Sequence, residues 1–381
     1  MKKSKIWSVL SLCALFTLQA NAQEPTLKVS PAGRVLLDGA VYNSNNSAFG
    51  NGISLSDVRL GAKLSYGSYK AKIDIGFANS SLSIKDVILE KELDHNNIFY
   101  GGYFIHQYGL QSATSSSMKI AMEEPASNTV FNDPRLLGVM YQHDKGKFMG
   151  TLSAHVENQA INSGTQTTGN QGYGFRSRLL FHPFYSEGKI LQFGISGAYQ
   201  TPTYNSNANL NHNSFSFSSG YPTRVASLTA IAATVSDAKN MFKYTPELLA
   251  AYGPVALESQ YFYNQVNRDG NAKAYKASGA YATVRGLIFG GKYKYASRDG
   301  GIDTPGAGAM EAVVQYNYTD MSSPETNIYG GRMNDIAIGF NYYINKNMLW
   351  RVRYSYTDVR DRANVDNTHL NAFQTRLQIM F

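Results

Sequence analysis

The chain has 381 residues, 43% of them hydrophobic, a formal net charge of +8 and a mean hydropathy of −0.30. Lys and Arg are dispersed singly, which excludes the concentrated basic face of a nucleic-acid binder. No apolar stretch after residue 22 reaches the roughly 20 residues of a membrane-spanning helix, which excludes a helical membrane protein. A transmembrane barrel remains open, because only alternate residues of its strands meet lipid.

The N-terminus has the pattern of an export signal. Lys2, Lys3 and Lys5 precede an apolar core from Ile6 to Leu18, and Ala20-Asn21-Ala22 offers a small-residue cleavage site. Residues 1–22 are therefore expected to be a cleaved signal peptide and 23–381 a single barrel domain. Those three lysines supply part of the +8, so the exported chain keeps only a modest basic excess. The one cysteine, Cys13, lies inside the signal, and Leu12 before it is not the small residue of a lipoprotein processing site. Disulfides, thiol chemistry and cysteine metal ligands are thus not expected.

Alternation of apolar and polar residues then dominates to the end. A weak version spans Gly33 to Tyr42. From Val58 to Tyr66 the even positions are apolar or aromatic and the odd ones are polar or Gly, so the two sets lie on opposite faces of a strand. Gly67-Ser68 is a two-residue hairpin turn, and Tyr69 to Phe77 repeats the alternation with Lys70, Lys72 and Asp74 on the polar face. Tyr173 to Phe181 sets Arg176 and Arg178 opposite aromatics. Weaker strands follow at Val255 to Asn264, Glu311 to Thr319 and Ile336 to Tyr343, and a strong one at Trp350 to Tyr356 carries Arg351 and Arg353. In the last segment Phe373, Leu377, Ile379 and Phe381 share one face, with Gln374, Arg376 and Gln378 opposite.

Short turns at 144–147 and 345–347 contrast with long Asn/Ser/Gly-rich stretches at 157–171 and 202–223, the distribution of periplasmic turns and external loops in outer-membrane barrels. In a soluble sandwich the apolar faces would form an interior instead. The export signal and the surplus of 27 Tyr and 19 Phe over 2 Trp favour the membrane, where Tyr near strand ends builds interface girdles. A chain ending on an aromatic also resembles the signal read by the bacterial barrel-insertion machinery. The segment before the first strand is too short for the plug domain of an energy-coupled receptor.

Residues 98–148 resemble the phosphate-selective porin O and P family. The stretch Ile98-Phe99-Tyr100-Gly101-Gly102-Tyr103-Phe104, then Tyr108-Gly109-Leu110, the Ser/Thr run 112–117 and Pro134-Arg135-Leu136-Leu137-Gly138-Val139 look like the family's strand, inward-folding loop and return strand. Met122-Glu123-Glu124 falls at the family's Met-Glu pair. Further matches are Thr245-Pro246-Glu247-Leu248-Leu249 with Tyr252-Gly253-Pro254, Gly308-Ala309-Met310-Glu311-Ala312 with Met310 where the family has Trp, Asn341 to Asn347, and Gln374 to Gln378. The resemblance implies an all-β, antiparallel transmembrane barrel of about 16 strands in the bacterial outer membrane, with a constriction loop and a homotrimeric assembly. Its partners would be outer-membrane lipids, the insertion machinery, and small anions or polar solutes.

If Phe, Tyr and Leu face lipid, parity sends Arg59, Lys63, Lys70, Lys72, Arg176, Arg178, Arg351, Arg353 and Arg376 into the lumen. A charge facing lipid near the midplane costs about 2–4 kcal/mol. Glu90, Asp74, Glu258 and Glu311 are available to pair with these cations. Arg285 shares its register with Phe289, Tyr293 and Tyr295, and a break at Gly290-Gly291 would reset it, so Arg285, Lys292 and Lys294 are left unassigned. In the expected constriction loop, 107–134, the only cation is Lys119, beside Glu123, Glu124 and Asp133. Phosphate selection needs converging fixed donors, which that loop does not offer.

The expected function is a porin for passive diffusion of small polar solutes with anion preference, phosphate among the candidates. An adhesin acting through the external loops is the alternative. A barrel hydrolase would need a nucleophile, base and orienting acid at the rim. The seven histidines, including His106, His143, His155 and His369, show neither metal spacing nor a catalytic setting, and no cofactor is expected.

Overall fold

The computed structural model describes residues 25–78, 81–114, 119, 121–157, 170–202 and 213–381. The signal segment, most of the 157–171 stretch, residues 203–212 of the 202–223 stretch and Ser115 to Ser117 lie outside the described residues.

Sixteen antiparallel strands close into one barrel. The first five are β1 (Lys28–Ser44), β2 (Gly52–Tyr66), β3 (Tyr69–Gly76), β4 (Ser83–Glu92) and β5 (Asn97–Phe104). After a long loop come β6 (Leu136–Lys145), β7 (Phe148–Val156), β8 (Tyr173–Ser186) and β9 (Lys189–Gln200). The wall resumes with β12 (Ala238–Tyr252), β13 (Val255–Arg268) and β14 (Tyr275–Phe289), and ends with β17 (Met310–Ser323), β18 (Ile328–Asn345), β19 (Met348–Arg362) and β20 (Thr368–Met380). The seam is made by β1 and β20, whose register sets Asp38 beside Arg376 and Val41 beside Phe373.

The alternation places side chains as period two requires. On β8, Phe175, Leu179 and Phe181 are exposed outside while Arg176 and Arg178 are buried inside. Gly67 takes φ +58° in the Tyr66 to Tyr69 hairpin, a left-handed turn conformation that costs glycine little. The β14 register breaks between Leu287 and Phe289, ahead of the expected Gly290-Gly291 position. That bulge leaves Arg285 inside and Phe289 exposed, which resolves the parity conflict of the sequence.

Three segments enter the barrel. The first joins β5 to β6 and carries the helical turns α1 (Leu110–Ala113) and α2 (Ala126–Phe131). The second holds a hairpin of β10 (Phe215–Gly220) and β11 (Thr229–Val235). The third, between β14 and β17, carries the small hairpin β15 (Tyr295–Ala296) and β16 (Gly301–Ile302). It lies at the end with the short turns, where the backbone N–H of Gly188 donates to Tyr293 O and that of Tyr293 to Gly253 O. The sequence expected only short turns at that end.

An apolar core therefore sits inside the barrel. Phe131 of α2 stacks on Phe262 at 6.0 Å between ring centroids, and Phe217 of β10 on Tyr275 at 6.1 Å. Ile231 and Val235 pack in the same cluster as Met333, Val359 and Leu370. Inward positions on β12 to β20 can be apolar because these segments, not water, cover them.

Candidate pore and constriction

The first entering segment crosses the lumen through buried hydrogen bonds. The Gly109 N–H donates to Ser196 Oγ at 2.9 Å, the Gln111 N–H to Gln260 Oε1 at 3.0 Å, and the Ser127 N–H to Asn317 Oδ1 at 3.0 Å. The Gln111 amide donates to Glu258 at 2.5 Å. Each bond uses a side chain from an inward strand position to satisfy a loop donor that would otherwise be buried unpaired.

Five of the sequence-selected arginines also hold these segments. Arg376 on β20 donates to Asp38 at 2.6 and 2.8 Å, to Glu123 at 2.5 Å and to Met122 O. Arg351 donates to Ala121 O at 3.1 Å and Lys119 O at 2.8 Å. Arg353 binds Asp335 at 2.7 Å and Pro222 O at 3.1 Å, reaching the second segment. Arg178 forms a two-pronged pair with Glu247 at 2.6 and 3.0 Å and donates to Gln107, Asp299 O and Gly300 O, joining the first and third segments. Arg176 bonds His155 at 3.1 Å and pairs with Asp133, which Lys243 also contacts at 2.5 Å. All five are buried, at 1–3% exposure. The planar fork suits such work, since several fixed carbonyl and carboxylate acceptors are met at once.

The remaining selected cations lie on β2 and β3, next along the wall from the β1–β20 seam. Arg59 and Lys63 on β2 and Lys72 on β3 line an open cavity of about 380 Å³. Arg59 shares Asp57 with Arg34, and Lys72 contacts Asp74 at 2.6 Å and Asp86 at 2.8 Å. Lys63 is exposed and has no ion pair among the described residues. Lys70, near the β2–β3 turn, pairs with Glu92. In the constriction loop Lys119 binds Glu124 at 2.6 Å. Burial opposes the charge on Glu124, and Lys119 outweighs it, holding that carboxyl below its ordinary range. Glu123 faces Arg376, and Arg224 approaches it at 3.5 Å.

Several lining groups escaped the sequence reading. Arg34 alternates with Val35 and Leu37 and was accessible by parity. Arg135 binds Asp86 where the return strand begins. Arg298 of the third segment reaches across to Glu90 and sits 6.0 Å over the Tyr100 ring. No strand period marks Arg298, because it lies in a turn. Arg285 pairs with Glu311 at 2.6 Å, and Tyr293, Tyr343 and Asn341 also donate to that carboxylate.

A closed barrel with an apolar outer surface, a charged interior and a loop narrowing its lumen defines an outer-membrane porin. The model of the phosphate-selective porin O and P family matches residues 38–381, and the chain belongs to that family. Its fold is shared with an anion-selective porin from Comamonas acidovorans at TM-score 0.60 and 13% identity, covering 93% of this chain and 100% of that one. OmpT of Vibrio cholerae in its trimer form gives 0.57 at 12%, covering 93% and 99%. The outer membrane channel DcaP of Acinetobacter baumannii gives 0.56 at 12%, covering 93% and 97%. Comparison with curated protein sequences yields no match.

In the outer membrane, the exposed Leu179 near the middle of β8 faces lipid. Leu179→Arg is expected to destabilise the barrel by about 2–4 kcal/mol, measured by denaturant unfolding in bilayers. A cost near zero there would contradict the lipid-facing assignment.

Proposed function

We propose that this porin is a passive diffusion channel with a modest preference for anions, acting as a homotrimer. The observation that carries the charge preference is the cavity lining, where Arg34, Arg59, Lys63, Lys72, Arg135 and Arg298 face Asp74, Asp86, Glu90 and Asp299. Cations exceed acids there, but most are paired, so the field is weakly positive. Lys63 contributes most because no carboxylate among the described residues pairs with it. Arg59 and Lys72 line the path with their charge shared, Lys70 acts at its turn-side margin, and Lys119, Glu123 and Glu124 fix the constriction. Arg176, Arg178, Arg351, Arg353 and Arg376 support it from behind. The trimeric assembly of the OmpT neighbour supports the homotrimer.

Purified protein in a planar bilayer under a potassium chloride gradient tests this reading. The reversal potential is expected on the chloride-selective side, and Lys63→Glu is expected to shift it toward or past the cation-selective side, since it changes the local charge by two units. Cation selectivity of the wild-type channel would overturn the anion preference.

A further inference from the structure

Resting on the reading of this chain as an anion-preferring channel, we propose that its cavity is a binding site for monocarboxylates carrying an apolar body, in preference to phosphate.

The cavity has two unlike sectors. Inward side chains of β1 to β3 make one of them basic. The other is apolar: Ile88 of β4 and Ile105 after β5 are half-buried at its edge, backed by Tyr100, Phe104 and Met140. Strand register joins the two in one row around the wall, where Lys63 pairs with Lys72, Lys72 with Ile88, Ile88 with Gly102 and Gly102 with Gly138. The glycines keep the far part of that row bare. At Gly102, which has φ +132°, a Cβ would lie 2.1 Å from Val87 O, and at Gly138 it would lie 2.3 Å from Ala154 O.

Net charge, more than donor number, selects the headgroup. A phosphate dianion calls for more than one uncompensated cation, and most cations of this cavity are offset by carboxylates. Here Arg34 and Arg59 both serve Asp57, Lys72 and Arg135 both serve Asp86, and Arg298 serves Glu90. Among the cations that line the cavity, Lys63 has no ion pair with the described residues and stands as a point charge, sufficient for one carboxylate. Two strand spacings, about 10 Å, separate its position from that of Ile88, so a carboxylate on Lys63 must carry several carbons to cover the isoleucine. Burying them favours the longer acid.

The test is block of chloride current through the full-length protein in planar bilayers. Sodium 4-phenylbutyrate is expected to half-block at a concentration at least about tenfold below that of acetate or inorganic phosphate. Phenethylammonium, an apolar cation of similar bulk, is expected to block weakly. Ile88→Ser is expected to bring the phenylbutyrate-to-acetate ratio toward one, Ile88→Leu to retain it, and Lys63→Gln to weaken block by both acids. Chloride selectivity with phosphate or acetate blocking as strongly as phenylbutyrate overturns this inference alone, and so does equal block by phenethylammonium. Cation selectivity in the salt gradient overturns the underlying reading as well. The wild-type ranking decides the matter even where a variant fails to insert.

Discussion

Arg376→Ala is expected to cost about 3–5 kcal/mol of barrel stability and to raise single-channel conductance. One guanidinium joins three parts of the molecule: β20, which carries it; Asp38 of β1, its partner across the closing seam; and Glu123 with Met122 O in the constriction loop. The side chain is 3% exposed, and the carboxylate groups of Asp38 and Glu123 are 2% and 8% exposed. Truncation removes the counter-charge of buried Asp38 and leaves Glu123 with Arg224 at 3.5 Å, and a buried carboxylate short of its partner is costlier than one never buried. Ser56 still donates to Asp38 at 2.6 Å, but a neutral hydroxyl does not replace the ion pair. The loop simultaneously loses two attachments to the wall, so Met122 and Glu123 gain freedom to move, while Arg351 still holds Ala121 O and Arg224 still approaches Glu123. Arg376→Lys keeps a charge without the fork and should fall between the two. Denaturant midpoints and single-channel recordings on the three proteins check this order. Unchanged stability and conductance in Arg376→Ala would show that the seam and the loop do not depend on that residue.

Parity carried the sequence to an all-β chain, because lipid outside and polar groups inside impose the same period on every wall strand, and the export signal, the aromatic surplus and the family resemblance turned that into a membrane barrel. Parity failed where something other than water fills the lumen. Phe262, Tyr275, Leu249 and Leu370 point inward and are buried, yet their residue types read as lipid-facing. Phe262, Tyr275 and Leu370 are covered by the segments around Phe131, Phe217 and Ile231, and Leu249 by Leu110, Tyr293 and Ile302; nothing in the strand period says that these segments fold inward. The same cause separates the selected cations. Parity correctly describes Arg176 and Arg178 as opposite to Phe175 and Leu179, but it contains no information on what enters from above or below. Lys63 and Arg351 look alike in sequence, one facing the cavity and the other held against Lys119 O and Ala121 O. The acidic character of the constriction loop was legible. Its use was not, since pairing Glu123 with Arg376 and Asp133 with Arg176 spans distances along the chain of 253 and 43 residues.

Replacing residues 295–302 by Gly-Gly is expected to increase conductance while reducing the anion preference. In family orientation the short-turn end of the barrel is periplasmic, so this hairpin narrows the channel from the side opposite the main loop. Gly301 meets Thr114 and Leu110 there: a Cβ on it would lie 3.5 Å from Thr114 Oγ1 and 3.7 Å from Leu110 Cδ1. Excision removes Arg298 and Asp299 from the cavity lining and releases Glu90 from Arg298, so the freed carboxylate adds to the loss of a cation. Arg178 loses its carbonyl acceptors at Asp299 and Gly300 but keeps Glu247, and Tyr293 keeps Glu311, so both walls retain their charge pairs. The lost hydrogen bonds, including that from Gln192 to Gly300 O, cost about 1 kcal/mol each. Arg298→Ala separates space from charge: it leaves the hairpin in place, and it should lower the chloride-to-potassium permeability ratio with a smaller change in conductance. Equal conductance in the excised and wild-type channels, measured at the same salt, would mean that the narrowing lies wholly in the β5–β6 loop.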